Sequence, residues 1–220
     1  MIPGLDPVIF GAGYILAGLV SCDPQPMPAV TVSLNALPTQ YSASQSSAEL
    51  GKVSVDTKFS HGRDEVFVTG GLTESNIHAG FEAGFQKSRS MLTGKGCIWF
   101  GDISVTVTYA PVVFVSRDHA EGSCRYKEIV QHEARHVNTD VITINEYLPK
   151  IKKAVEEKVA ELGIRGPLEE EAVEKAQSDM AGAIRTLLEK TIEEMHGVRM
   201  ARQQLIDTRA EYLRLSETCR

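Results

Sequence analysis

Residues 132–136 read His132-Glu133-Ala134-Arg135-His136. On a helix, side chains four positions apart lie one turn apart on one face, so the two imidazoles point the same way with a carboxylate beside the first. This is the H-E-x-x-H arrangement, in which two His bind zinc and the Glu serves as general base. Neutral imidazoles leave a metal its full positive charge, which acidifies bound water and polarises a carbonyl. Glu133 is then placed to take a proton from water and pass it to a leaving amine. The expectation is a zinc-dependent hydrolase acting on a peptide or protein substrate, with His132 and His136 as metal ligands and Glu133 as the catalytic base.

A helix must carry these residues, and Tyr126 to Leu148 has the periodicity for one. At about 100° per residue, Val137, Val141, Ile144 and Leu148 fall within about 40° of Val130, a narrow apolar stripe. His132, His136, Asp140 and Thr143 project to the far side, so the imidazoles are expected on a face distinct from the main apolar contact. Asp140, one turn beyond His136, is expected to support the site by bonding the outer nitrogen of His136 and fixing its tautomer.

Two protein ligands are too few for a structural zinc, which points to an open site that keeps a water. The third ligand stays open. A metzincin would need His at position 142, where Ile142 stands. Glu146 is about 15 Å further along an unbroken helix. A turn at Pro149 would return Glu157 or Glu161 to the level of His136, although Val155, Val159 and Leu162 stay in phase with Val130 as if one kinked helix ran on to Gly163. A hairpin at Gly163 to Pro167 would bring up Glu193, Glu194 or His196, and His119 is a candidate from the strand side.

The segment His132 to Asp140 resembles the active-site helix of thermolysin-type zincins, but Asn145-Glu146 is not at the spacing of that family's glutamate ligand. More of the chain, loosely residues 65–210, resembles a group of uncharacterised bacterial proteins described as secreted zinc-dependent proteases. The shared elements are Val68-Thr69-Gly70-Gly71-Leu72-Thr73 after a strand, a Cys near the next strands, the H-E-x-x-H helix, and Gln203-Gln204-Leu205-Ile206-Asp207-Thr208 late in the chain. In that group the late element reads closer to Q-x-x-Y-D-x-x-T, and Ile206 here replaces the aromatic residue. The resemblance implies a protease and flags Asp207 as a site residue.

Around the motif, short β-branched segments at 29–34, 52–55 and 65–69 read as strands. Residues 73–85 read as a short helix, from Ile77, Phe81 and Phe85 at steps of four. Ile98 to Thr108 and Val112 to Val115 read as two strands separated at Ala110-Pro111, and 35–47 as a polar loop or linker. After Tyr126 only helical periodicity remains, broken at Pro149 and around Gly163. The expected fold is α+β: an N-terminal, mainly antiparallel sheet, then the motif helix and a long C-terminal helical hairpin.

Residues 7–20 are apolar and end in Leu19-Val20-Ser21-Cys22, similar to a bacterial lipobox. The expected division is 1–22 as signal or lipoprotein segment, 23–50 as linker-like with one strand, and 51–220 as the zincin-like α+β domain. Export to the bacterial periplasm, cell envelope or medium follows, with membrane anchoring through a lipid on Cys22. Among the four cysteines, Cys97 and Cys124 are the expected disulfide, tying a strand to the start of the motif helix, and no partner is assigned to Cys219. The 23 basic and 29 acidic side chains give a net charge of −6 with no basic run, so nucleic acid is not an expected partner. The competing reading is a non-catalytic envelope lipoprotein or a metal-stabilised binding or scaffold module.

Overall fold

The computed structural model describes residues 22–23, 25–53 and 69–219. The signal segment before Cys22 and most of the strands expected at 52–55 and 65–69 lie outside these residues. The elements are β1 (Val30–Ala36), β2 (Gln40–Ser42), α1 (Ser47–Leu50), β3 (Gly71–Arg89), β4 (Gly96–Val115), α2 (Cys124–Leu162), β5 (Arg165–Leu168), α3 (Glu170–Ile206) and α4 (Arg209–Glu217). The α+β class holds.

The sheet is mixed rather than mainly antiparallel. Its centre is β4, which pairs in parallel with β1 and β2 and antiparallel with β3 and β5. β1 and β2 run one after the other in one direction along a single edge of β4, and β3 alone forms a hairpin with β4. The polar stretch 35–47 therefore contains β2 and leads into α1 rather than acting as a linker.

Residues 73–85 form part of β3, not a helix. Ile77, Phe81 and Phe85 share one face in either conformation, because a step of four suits both one helical turn and an even strand period. Pairing with β4 decides the matter. β4 is likewise one strand that continues through Ala110-Pro111. Ile103 N donates to Ala29 O and Tyr109 O accepts from Leu37 N, so odd-numbered residues of this stretch turn their backbone groups toward β1 and β2. Pro111 falls between the β1 register, which ends at Tyr109, and the β2 register, which begins at Val112. Its missing N–H thus costs no ladder bond to β3.

Pairing jumps from Ala83↔Ile103 to Phe85↔Phe100, so β4 carries one extra residue there. The buried positions shift accordingly, from Ile98 and Phe100 to Ile103, Val105, Val107 and Tyr109. A bulge has this effect because one residue of slip exchanges the faces. The other face of β4, with Ser104 and Thr106, is exposed.

Helices α2 and α3 cover the buried face. α2 runs unbroken through Pro149 to Leu162, as the continuous apolar phase implied. Its buried surface takes in Ile144, Val155 and Val159 of the expected apolar stripe and extends over the polar side as well. His132, Glu133, His136, Asp140 and Thr143 are buried, whereas Val130, Val137, Val141 and Leu148 are only half-buried. α2 is enclosed on its polar side by both the sheet and α3, so that side is a packed interior of hydrogen-bonded groups.

The disulfides are Cys22–Cys97 and Cys124–Cys219, not Cys97–Cys124. Cys97 starts β4 beside β5, while Cys124 starts α2 beside the end of α4, so the expected partners occupy different regions. The Cys22 sulfur that a lipid thioether would need is bonded to Cys97, which removes the expected lipidation in this disulfide-bonded form. Two disulfides suit an oxidising compartment. Among the described residues no helix is long and apolar enough to cross a membrane.

Candidate metal centre and active site

α2 presents His132 and His136 one turn apart, and Asp207 arrives from the end of α3, which packs antiparallel on α2. Three atoms converge. His132 Nε2 and His136 Nε2 lie 3.2 Å apart, and each lies 3.2 Å from Asp207 Oδ1. All three residues are buried, and they form a group that could hold a metal ion. Tetrahedral zinc with bonds of about 2.0 Å has ligand–ligand edges of about 3.3 Å, so this triangle has the size of one tetrahedral face.

The outer partners decide which ring nitrogens are free. A carboxylate only accepts hydrogen bonds, so Gln203 must turn its amide nitrogen to Asp140 Oδ1. Its amide oxygen then faces His136 Nδ1 and accepts a hydrogen bond from it. His136 Nδ1 therefore carries a proton, and in the neutral ring it is Nε2 that has a lone pair to offer the cluster. The same Gln203 donates to His136 O at 3.0 Å. Asp140 does support His136, but through Gln203 rather than by the direct bond expected.

Asp140 is fully buried. Its Oδ1 accepts from Arg199 Nε at 2.6 Å, and its Oδ2 accepts from Ser75 Oγ at 2.6 Å and Tyr109 hydroxyl at 3.3 Å. Burial, then the nearby Asp140 charge, pushes the Tyr109 hydroxyl pKa upward. On the other side, His132 Nδ1 lies 3.3 Å from Glu211 Oε1 of α4. Arg135 lies 2.9 Å from that nitrogen and itself pairs with Glu211. Bonds from Arg214 and Arg135 overcome partial burial and hold the Glu211 pKa down at about 2.

Glu133 is buried, and its Oε2 accepts from Thr73 Oγ1 at 2.8 Å. Burial raises its pKa, against the pull of the two His charges and the Thr73 bond. For His136, burial opposes protonation, but the bond to Asp207 and the charge of Glu133 outweigh it, so its pKa is raised. Burial and the neighbouring Asp207 also push up the Tyr212 hydroxyl.

These groups line a cavity of about 370 Å³, walled by Leu50 and Gly51 of the α1 turn, the start of β3, His132, Glu133, His136, Asp207 and Tyr212. Gly71 lets β3 approach α2: a Cβ there would sit 2.8 Å from Glu133 Oε1. Of the other ligand candidates, Glu146 pairs with Arg202, and Glu157, Glu161 and Glu194 pair with lysines on their own helices. Glu193 is exposed, His119 sits in the β4–α2 connection, and His196 borders a second cavity. Gln203, Glu211, Thr73 and Tyr212 were not picked out by spacing. The advance signals were two elements of the resemblance, the one ending in Thr73 and the late one close to Q-x-x-Y-D, which contains both Gln203 and Asp207. No family model, curated protein or solved structure matches the chain.

Proposed function

We propose that the protein is a zinc-dependent hydrolase, most simply a peptidase, with His132, His136 and Asp207 as the three protein ligands and Glu133 as general base. The observation that carries this reading is the 3.2 Å triangle of two imidazole nitrogens and one carboxylate oxygen, with Glu133 on the wall of the same cavity. Three protein ligands with a fourth direction toward a cavity are the pattern of a catalytic rather than a closed structural zinc site. A bound zinc ion supplies Lewis acidity, acidifying water and polarising a carbonyl.

The chain's own residues do the rest. Glu133 accepts a proton at its carboxylate and returns it to the leaving amine. Thr73 fixes one Glu133 oxygen by hydrogen bond, leaving the other for water. Gln203 and Glu211 hold the imidazoles with Nε2 turned inward. The likeness of the motif helix to zincins is a second support, and the disulfides favour an exported setting.

The test is hydrolysis of a mixed peptide library by zinc-loaded wild type and Glu133→Gln. Wild type should cleave, and the variant should retain zinc while losing at least a hundredfold in rate, in the range expected for general base catalysis. Zinc binding without cleavage by the wild type would favour a metal-stabilised binding module.

A further inference from the structure

Helix α4 follows Asp207 directly and delivers Glu211 and Tyr212 to the site. None of its residues is fully buried, and its apolar side chains Tyr212, Leu213 and Leu215 are only half-buried, a shallow anchor for a helix. Its attachments run antiparallel along the first turns of α2. Glu211 meets His132 and Arg135, Arg214 Nη1 reaches Glu128 at 2.7 Å, and Arg125 donates to the carbonyls of Leu215 and Ser216. The Cys124–Cys219 disulfide, spanning 95 residues, closes the far end. The arginines of these pairs are 44–47% exposed while Glu211 is only 11% exposed, so the pairs hold the helix modestly and are partly screened by salt. A covalent link between the first residue of α2 and the end of α4 is the one strong restraint among these contacts.

We propose that α4 is a disulfide-held arm that presents Glu211 to His132, so that retention of the metal depends on the Cys124–Cys219 bond. The inference rests on the metal-site reading above. Glu211 is a positioning residue: its Oε1 lies 3.3 Å from His132 Nδ1 and also pairs with Arg135, which lies 2.9 Å from the same nitrogen, and through these contacts it orients the ring with Nε2 toward Asp207, the role outer carboxylates play for ligating imidazoles. Loss of the disulfide frees the arm, and Glu211 leaves with it. The Cys22–Cys97 bond lies at the start of β4 beside β5, away from this arm, and provides an internal control.

The experiment compares full-length wild type, Cys124→Ser/Cys219→Ser, Cys22→Ser/Cys97→Ser and Glu211→Gln. Zinc affinity is read by chelator competition, the ligand field by the visible bands of the Co2+-loaded protein, and the arm by amide hydrogen exchange over residues 208–218. The Cys124/Cys219 variant should lose tenfold or more in zinc affinity and all protection in the arm, while the Cys22/Cys97 variant keeps both. Glu211→Gln should weaken zinc about tenfold and shift the Co2+ bands with the arm still protected, a signature a merely structural contact would not give.

Unchanged affinity in the Cys124/Cys219 variant, or a protected arm, overturns the proposal. If circular dichroism shows that variant unfolded, the Glu211→Gln spectrum and affinity decide: unchanged values overturn it. A wild type that binds no zinc refutes the metal reading instead, and hydrogen exchange then still shows whether the disulfide holds α4.

Discussion

Asp207 Oδ1 lies 3.2 Å from His136 Nε2, although the two residues are 71 positions apart in the chain. A carboxylate oxygen and two imidazole nitrogens share this spot, and Gln203 accepts from the outer nitrogen of His136. A metal ion at this spot would relieve the crowding. Its binding would be linked to folding, because only the folded chain gathers the three atoms.

Zinc at a hundred times its dissociation constant should stabilise the native state by about 2.7 kcal/mol. For a chain of this size that raises the melting temperature by about 5–10 °C. Differential scanning calorimetry with and without zinc checks this, and Asp207→Ala should lose most of the rise.

Asp140 and Arg199 form a buried ion pair at 2.6 Å. Removing one partner strands the other charge, which costs about 3–5 kcal/mol. Asp140→Ala should therefore lower the urea midpoint strongly. Asp140→Ala with Arg199→Met should recover part of the loss, since no unpaired charge then remains.

Gly71→Ala places a methyl group against Ile129 and Glu133. Overpacking of this kind costs about 1–3 kcal/mol. Because the contact displaces the proposed base, turnover on peptides should fall by more than the stability loss explains, with zinc affinity nearly unchanged. Parallel kinetics, zinc titration and denaturation of the variant separate these effects.

The α1 wall of the cavity carries a pH dependence of its own. Asp118 Oδ2 accepts from Ser47 N at 2.9 Å, and Glu49 accepts from Ser46 N at 2.6 Å. These backbone bonds hold both carboxyl groups below their ordinary pKa values. A depressed carboxylate contributes stability that is present above the unfolded value, about 4, and is lost as pH falls through the folded value below it. Amide exchange at Leu50 and Gly51 should accelerate below about pH 4 in the wild type. In Asp118→Asn it should already be faster at pH 6.

The motif helix and the shared face of His132 and His136 were legible because both depend on spacing within one element. The alternation of Val105 and Val107 with Thr106 likewise announced a half-buried strand. Asp207 was flagged only by resemblance, since its distance from His136 depends on how α3 returns along α2. Gln203 lay in the same flagged element without a role, and Glu211 was invisible for the same reason. The polar and apolar faces of α2 were legible but the burial of both was not, because helical projection shows which residues share a face, not how many partners enclose it. β3 was misread because residues four apart satisfy both periods, and the disulfides because pairing over 75 and 95 residues is set by tertiary packing.

The central claim is that His132, His136 and Asp207 together hold one zinc ion. Its most direct test is the zinc content, by elemental mass spectrometry, of zinc-loaded and exhaustively dialysed wild type beside Asp207→Ala. The expected result is one ion per chain in the wild type and substantial loss in the variant. A wild type without zinc, or a variant that retains it equally well, would contradict the claim.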